Sequence, residues 1–546
     1  MPKSHVAGLA MTPTAFFIAH IHTGGNHMSL PDGAYEALEN ALGAENVCDD
    51  PAVTSAYSYM WLLYSTHAQS GRYRPAAVVL PGSTHDVQTI IKIANRYKFS
   101  YIPVGTNLLP PTIPIRPDTI IIDPKRMDRI LEIDTQNMFA VVEPYVTYAQ
   151  LQAETMKYGL TITVAEAGAQ VSVVANNMFQ GMGGTGHKFG YNRGVLGVDW
   201  VLPSGELLQI GSRGNPHGGW FWGDCAGINL KGLLRADSGH CGGLGMVTTM
   251  AVKLFPYPGP STFPVKGTNP DFKVTFPHDR FRLNLIKFPD RRKLIEAMYE
   301  IGHAEIAAAV HEEPATMVLS GASPSVEYFW EKWPEFMKQW RNVLSVTLIG
   351  FSSPRQVAYE QKVLDQIVQE LGGEYIQEGS ELWQIGEDNI GEQIRTGLSN
   401  RLFRIAGDFF VIGGFGFDSI DQSYKMSEEY MWPLIEEGQK KGHFIPDDTH
   451  NDWLNSYQLG HFSETEPLIF FEHDLDAGAT FITSYMKTIQ EAVKRKMCTT
   501  WPLGPMNYIA GPNMCNYHEL VLKIKKELDP RMTSNPDYPV PPQPPQ

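Results

Sequence analysis

The chain has 546 residues, 43% hydrophobic and 19% charged, which are globular proportions at a length that calls for two domains. Lys and Arg total 44 against 59 Asp and Glu, a net charge of −15 with no local basic run to offset it, which argues against nucleic acid as a partner. Five scattered cysteines (Cys48, Cys225, Cys241, Cys498, Cys515) form no CxxC pair, which argues against a disulfide framework, a structural zinc or an iron–sulfur cluster. A reducing, cytoplasmic setting is expected, and no apolar run approaches the roughly 18–20 residues that cross a bilayer.

At the N-terminus, residues 7–19 are mildly apolar behind Lys3, but Thr and Pro interrupt them. His20 and His22 stand where a small-residue cleavage site belongs, so the segment reads poorly as a signal peptide. Met28 opens a more typical amphipathic start, and residues 1–27 are expected to be a dispensable extension or to precede the true start. A helix is predicted over 33–47, a strand over 76–80, and a helix over Thr84–Tyr97 entered through Ser83. Strands follow at 101–104, 119–123 and 139–143, then a helix over 147–158 with Thr147 as cap. Residues 166–197 are glycine-rich, and strands 198–202 and Leu207–Ile210 flank the hairpin signal Pro203-Ser204-Gly205-Glu206. Residues 246–255 alternate as a strand.

Beyond the proline-rich break at 256–260 the texture changes. Helices at 290–310, 324–342, 355–371, 423–441 and 476–497 alternate with strands at 344–350, 408–416, 443–446 and 467–472, a second α+β domain. A helix is expected over 516–529, and the closing PDYPVPPQPPQ is expected to be an extended, mobile tail.

Three segments carry the functional signal. The first is 101–107 (YIPVGTN), a strand ending in a glycine turn that can aim backbone N–H groups at an anion. The others are 168–211 and 237–255. With 141–148 (VVEPYVTY) they resemble the FAD-binding domain of the vanillyl-alcohol oxidase and p-cresol methylhydroxylase superfamily. Residues 142–147 stand for its V-x-P-G-V-T phrase, 197–207 for G-V-x-x-V-L-x-x-G-E-L, and 242–248 for G-x-x-G-I-V-T. The order and spacing of the set make it specific.

The resemblance implies an α+β protein: a two-subdomain FAD-binding domain over 28–264, to which 505–530 return, a cap (substrate) domain over 265–504, and a tail, 531–546. It implies FAD, held by Pro103, Val104, Gly105, Thr106, Asn107 and Leu108, by Gly168, Ser172, Asn176, Gly183 and Gly184, and by Gly243, Gly245 and Val247. Pro110 and Pro111 remove two N–H donors from the first loop. Members that bind flavin covalently use a first-loop histidine, or a His or Tyr on the cap strand. Here Asn107 and the run 407–417 stand at those places, so dissociable FAD is expected.

Glu166 aligns with an acidic residue that faces the flavin in phenol-oxidising members, which makes it the candidate acid, base or charge stabiliser; the alternative is a solvated loop glutamate. His187, with Lys188, is the candidate cation beside the flavin N1–C2=O edge, against the alternative of a surface position. His240 and Cys241 are expected to be packed. His443, His450, His461 and His473 are spaced by seven, eleven and twelve residues, which fits no ligand pattern, so no metal is expected. The family's phenolate-binding Tyr and Tyr–Arg pair are missing, as is the G-D-G-N-x-H phrase of its hydroxy-acid members. The reading is a flavoenzyme oxidising a small alcohol, hydroxylated or benzylic-type organic substrate by hydride transfer to flavin N5, with O2 or a redox partner protein as acceptor. A homodimer is implied by resemblance. The alternatives are the flavin subunit of an electron-transfer complex and an inactive scaffold of the same fold.

Overall fold

A computed structural model describes residues 30–58, 74–107, 114, 116–165, 168–179, 183–190, 194–225, 227–235, 239–268, 271–276, 279–387, 408–411, 417–471, 474–497, 504 and 507–543. The extension 1–27, Leu108, Pro110, Pro111, Glu166, His473 and residues 412–416 lie outside them.

Strands β1 (Val47–Cys48), β2 (Ala77–Val79), β3 (Ser100–Pro103) and β4 (Thr119–Ile122) lie in the order β1-β2-β4-β3, with β2, β4 and β3 parallel. β2 and β4 are buried at every residue, so AVV and TIII read as continuous apolar runs rather than alternating ones. The crossover helix Thr84–Tyr97 has the bounds its sequence predicts. Ser83 Oγ accepts the Asp86 N–H at 3.1 Å, and Val87, Ile90, Ile91 and Ala94 enter one core with Ala77, Val79 and Ile120.

The chain continues with β5 (Ile130–Asp134), β6 (Phe139–Val142), β7 (Leu160–Thr161), β8 (Val195–Val201), β9 (Leu207–Ile210), β10 (Met246–Lys253) and β11 (Phe255–Pro256). Five of them form an antiparallel sheet in the order β5-β6-β10-β8-β9, while β7 pairs with β11. Helix Tyr148–Thr155 starts from a capping box between Thr147 and Gln150.

The second half opens with the hairpin β12 (Val265–Thr268) and β13 (Asp271–Val274). Then come β14 (Phe281–Lys287), β15 (Ala309–Glu312), β16 (Val343–Ile349), β17 (Glu374–Tyr375), β18 (Asp408–Val411), β19 (Phe417–Asp418), β20 (Trp453–Tyr457), β21 (Phe462–Glu466) and β22 (Leu468–Phe471). Seven form a second antiparallel sheet, β17-β14-β16-β15-β20-β21-β19, and β18 pairs with β22. Helices Arg291–His303 and Pro354–Leu371 cover its back, where Leu294, Met298 and Leu364 meet Ile286, Val346 and Leu454.

Here the sequence expectations need correcting. The helix expected to reach residue 310 stops at His303 because β15 begins at Ala309. Residues 443–446 form no strand, and the hairpin β20–β21 stands where none was expected. The described part of the tail expected to be mobile, up to residue 543, is packed. The buried Lys525 ammonium donates to Gly243 O (2.7 Å) and Ser534 O (2.8 Å), Asp529 accepts from Thr533 and Ser534, and Arg116 pairs with Asp537 at 2.7 Å. Proline content correctly denied this segment regular structure, but side-chain bonds order it without a ladder.

Arg291 lies in the first turn of its helix, buried behind the sheet. It reaches Glu312 at 2.7 Å, Asp452 at 2.6 Å and Glu428 at 2.7 Å. Burial, against the pull of Arg291, pushes Glu312 up to about 7; burial would raise Glu428 too, but His450 and Arg291 hold it near 2. Arg291→Ala strands these carboxylates without their cation and is expected to cost about 3–5 kcal/mol in urea unfolding; a loss below about 1 kcal/mol would show that water, not Arg291, compensates them.

Candidate active site

Backbone turns of the first half converge at the end of β3. The ladder ends with the Val104 N–H on Ile122 O at 3.0 Å, and Gly105-Thr106-Asn107 turn away, with Asn107 at φ 59°. A Cβ on Gly105 would stand 3.0 Å from Ala175 Cβ and 3.4 Å from Ser172 Cβ, so this loop lies against the first turn of helix Val173–Phe179. A Cβ on Gly242 would meet Pro103 Cδ at 2.7 Å, and one on Gly239 would meet Met178 O at 2.8 Å. The 239–245 loop therefore closes on both other segments, an approach that backbone without side chains permits.

Ser172 and Asn176 spend hydrogen bonds on the fold: Ser172 Oγ donates to Pro144 O (2.6 Å) and accepts from Ala175 N–H (3.1 Å), while Asn176 Nδ2 donates to Tyr148 Oη (2.9 Å). Gly243 and Gly245 are demanded by packing, since added Cβ atoms would stand 1.9 Å from Tyr538 O and 2.1 Å from Val201 O. Gly168 turns with φ 118°, and Val247 is buried in β10 opposite Trp200. His240 is buried, accepts the Leu244 N–H at 3.4 Å and stacks on Trp200 at 6.0 Å; burial lowers it to about 3. Its Nε2 has no partner among the described residues. Burial pushes the neighbouring Cys241 thiol up to about 12. The junction fits a dinucleotide: its walls are backbone and small side chains, and it keeps one buried polar atom that the protein leaves open.

Residues 183–190 carry the chain to the second half. A Cβ on Gly183 would overlap Thr163 Oγ1 at 2.3 Å. Gly184 donates to Val164 O at 2.9 Å and accepts from His311 Nε2 at 3.0 Å. Gly186 O and His187 O accept from Gln458 and Leu459, and a Cβ on Gly186 would overlap the Tyr457 ring at 2.4 Å. His187 itself is buried. Nδ1 meets Ser456 Oγ at 2.9 Å and Nε2 meets Ile306 O at 3.1 Å; a carbonyl only accepts, which assigns the proton to Nε2. Burial lowers this ring to about 3. The expectation of a cation beside the flavin is thus corrected: His187 is a neutral joint between the halves, with both nitrogens engaged. Lys188 Nζ similarly donates to Glu305 O at 3.1 Å.

Strand alternation then decides what faces this joint. Glu312 turns back to Arg291, while His311 and Glu313 turn to the front, where Gly184 lies. Register extends this row: His311 lies opposite Asn455, Asn455 opposite Glu464, and Trp453 opposite Glu466. Relative exposure is 3% for His311, 0% for Glu313, 5% for Trp453, 0% for Asn455, 1% for Glu464 and 8% for Glu466. His311 Nδ1 lies 3.5 Å from Glu313 Oε1, and Asn455 Nδ2 lies 3.4 Å from Glu464 Oε2. Burial, only partly offset by the hydrogen bond to Glu464, pushes Glu466 up to about 7. Trp453 Nε1 has no acceptor among the described residues. Next to the carboxylates, Tyr457 stacks on Phe462 at 5.4 Å.

Sequence reasoning missed this row. Its one signal was the alternating S-E-T-E of 463–466, carboxylates two apart ahead of the apolar 468–471. Glu166 and Leu108 lie outside the described residues. Of the cap histidines, His443 bonds Thr480 Oγ1 at 2.7 Å and His450 sits between Glu428 and Glu436.

Residues 75–211 match the FAD binding domain family. The chain is 30% identical over 227 residues to the glycolate oxidase subunit GlcD of Bacillus subtilis, covering 41% of this chain and 45% of that protein. It thus spans less than half the length of that relative. Among solved structures it resembles a 4-ethylphenol oxidase from Gulosibacter chungangensis (TM-score 0.72, 20% identity, 93% of this chain and 98% of that one). It equally resembles substrate-bound p-cresol methylhydroxylase (TM-score 0.72, 17% identity, 94% and 99%).

The raised Glu466 gives a stability test. A carboxyl whose folded pKa exceeds its unfolded value of 4.5 costs nothing at low pH, and that cost grows as pH rises from 4.5 to about 7. Glu466→Gln is expected to match the parent in unfolding free energy near pH 4.5 and to exceed it above pH 7, by about 3 kcal/mol. A difference independent of pH would show that Glu466 ionises freely.

Proposed function

We propose that this chain, an FAD-linked protein of the p-cresol methylhydroxylase type, is an oxidoreductase that oxidises a small alcohol, hydroxylated or benzylic-type substrate. One observation carries the reading: a buried row of carboxylate and amide side chains is fastened, through His311, to the Gly184 turn of the FAD-binding half. The division into residues 28–264 with 505–530, and a cap over 265–504, accords with that seam. FAD would be held by the turns at 103–107, 168–176 and 239–247, and bound there it would supply a two-electron acceptor at N5.

The protein's part is positional and protic. Glu466, raised to about 7 by burial, is suited to take the proton of a substrate hydroxyl as the carbon gives up hydride, with Glu464 beside it. No described helix is long and apolar enough to cross a membrane. The resemblance supports a homodimer and O2 or a redox protein as acceptor, and the scattered cysteines support a reducing, cytoplasmic setting.

The absorption spectrum of purified protein tests the reading. Bands near ~375 and ~450 nm that pass wholly into the supernatant on acid precipitation, and a longer-wavelength band that bleaches anaerobically with an alcohol, are expected of a dissociable flavin. Colour retained in the pellet would show a covalent link. Protein that stays colourless with added FAD would leave only the scaffold.

A further inference from the structure

The 240–245 loop opens with a turn closed by the Gly243 N–H on His240 O at 2.7 Å. Both central residues, Cys241 and Gly242, have positive φ, 49° and 73°. Glycine accepts that conformation but cysteine is strained in it, so the turn needs support from outside. The C-terminal segment supplies it. Four successive carbonyls each accept a side-chain donor: Cys241 O from Asn535 Nδ2 (2.6 Å), Gly242 O from Ser534 Oγ (2.6 Å), Gly243 O from Lys525 Nζ (2.7 Å) and Leu244 O from Trp200 Nε1 (2.8 Å). Ser534 Oγ also accepts the Gly245 N–H at 2.8 Å, so one hydroxyl clasps the loop at two points. The same segment runs beside β3, where the Tyr101 N–H donates to Thr533 O and the Asn535 N–H to Tyr101 O, both at 2.8 Å. It therefore ties the strand that leads into the 103–107 turn to the 240–245 loop.

Peptide geometry sets the consequence. In a trans peptide the N–H and C=O point opposite ways, so fixing Cys241 O on Asn535 sends the Gly242 N–H away from the tail. Behind the loop stands the enclosed Lys525 ammonium, which burial lowers to about 8 and which stays charged at neutral pH. Its field reaches across the loop: burial lowers His240 most, and the Lys525 charge lowers it further. His240 Nε2 has no partner among the described residues. An outward N–H with a cation behind it suits an anion, and the diphosphate is the charged part of FAD.

We propose that Lys525, Ser534 and Asn535 are positioning residues of the cofactor site, holding the 240–245 loop in the shape that receives the ADP half of FAD. This rests on the placing of FAD at the 239–247 turn and extends the site to the C-terminal segment.

Calorimetric titration of FAD and of ADP into full-length protein freed of flavin reads the effect. Ser534→Ala removes two bonds to the loop and is expected to weaken FAD and ADP by the same factor, at least about tenfold. Asn535→Ala serves if that variant does not fold. Tyr508→Phe and Arg531→Ala cut anchors of the same segment that end elsewhere, on Pro541 O and Asn95 O. Both are expected to leave the two affinities within about twofold, whatever they cost in melting temperature. Unchanged affinities in Ser534→Ala overturn the proposal, as does a parent that takes FAD but not ADP, or a control variant that weakens FAD as far as Ser534→Ala does. Protein that binds neither ligand overturns it together with the placing of FAD. A parent that binds both, loses both in Ser534→Ala and oxidises no alcohol upholds the positioning residues and sinks the oxidoreductase reading alone.

Discussion

The segment 183–190 has to fit between two packed bodies, and that requirement shapes its sequence. Gly186 stands where a Cβ would enter the Tyr457 ring, and Gly183 where one would enter Thr163. Three backbone bonds then tie it across, from Gln458, Leu459 and Lys188. Two histidines complete the seam from opposite sides: His187 reaches into the second half, and His311 reaches back to Gly184. Because His187 is fully enclosed and neutral, it adds hydrogen bonds without the cost of a buried charge. The position of the second sheet over the first half follows from this contact, and with it the identity of the residues that face the junction.

The two faces of the second sheet treat charge differently. On the back, three carboxylates surround one guanidinium, and each bond is 2.6–2.7 Å long. On the front, Glu464 lies beside Glu466 and Asn455, and the Trp453 indole has no acceptor among the described residues. Consecutive residues Glu312 and Glu313 fall on opposite sides of this divide simply because a strand alternates. The back resembles structure that is finished without a ligand. The front carries the unfavourable burial that proteins retain where something is to be bound.

Much of the first half was legible in the sequence. The 84–97 helix could be read to its ends because one apolar stripe and one Ser cap coincide, and the parallel strands because uninterrupted AVV and TIII runs have no other easy reading. The front face was not legible. β15, β20 and β21 carry His, Glu, Asn and Ser on buried positions, so hydrophobic periodicity, which marks strands by where they hide apolar groups, passes over them. His187 was found but given the wrong role, since a histidine in a glycine run looks the same whether it faces a ligand or a neighbouring sheet. The tail misled in the other direction: its prolines forbid a ladder, but Lys525 and Asp529 order it from a distance along the chain.

A structure of the FAD-loaded protein bears most directly on the central claim, that the carboxylate row and the flavin ring share one chamber. The account predicts that FAD would be held by the turns at 103–107, 168–176 and 239–247, with its ring on the side of the seam where Glu464 and Glu466 lie. An isoalloxazine bound elsewhere, with the 462–466 strand walled off from it by protein, would contradict the account.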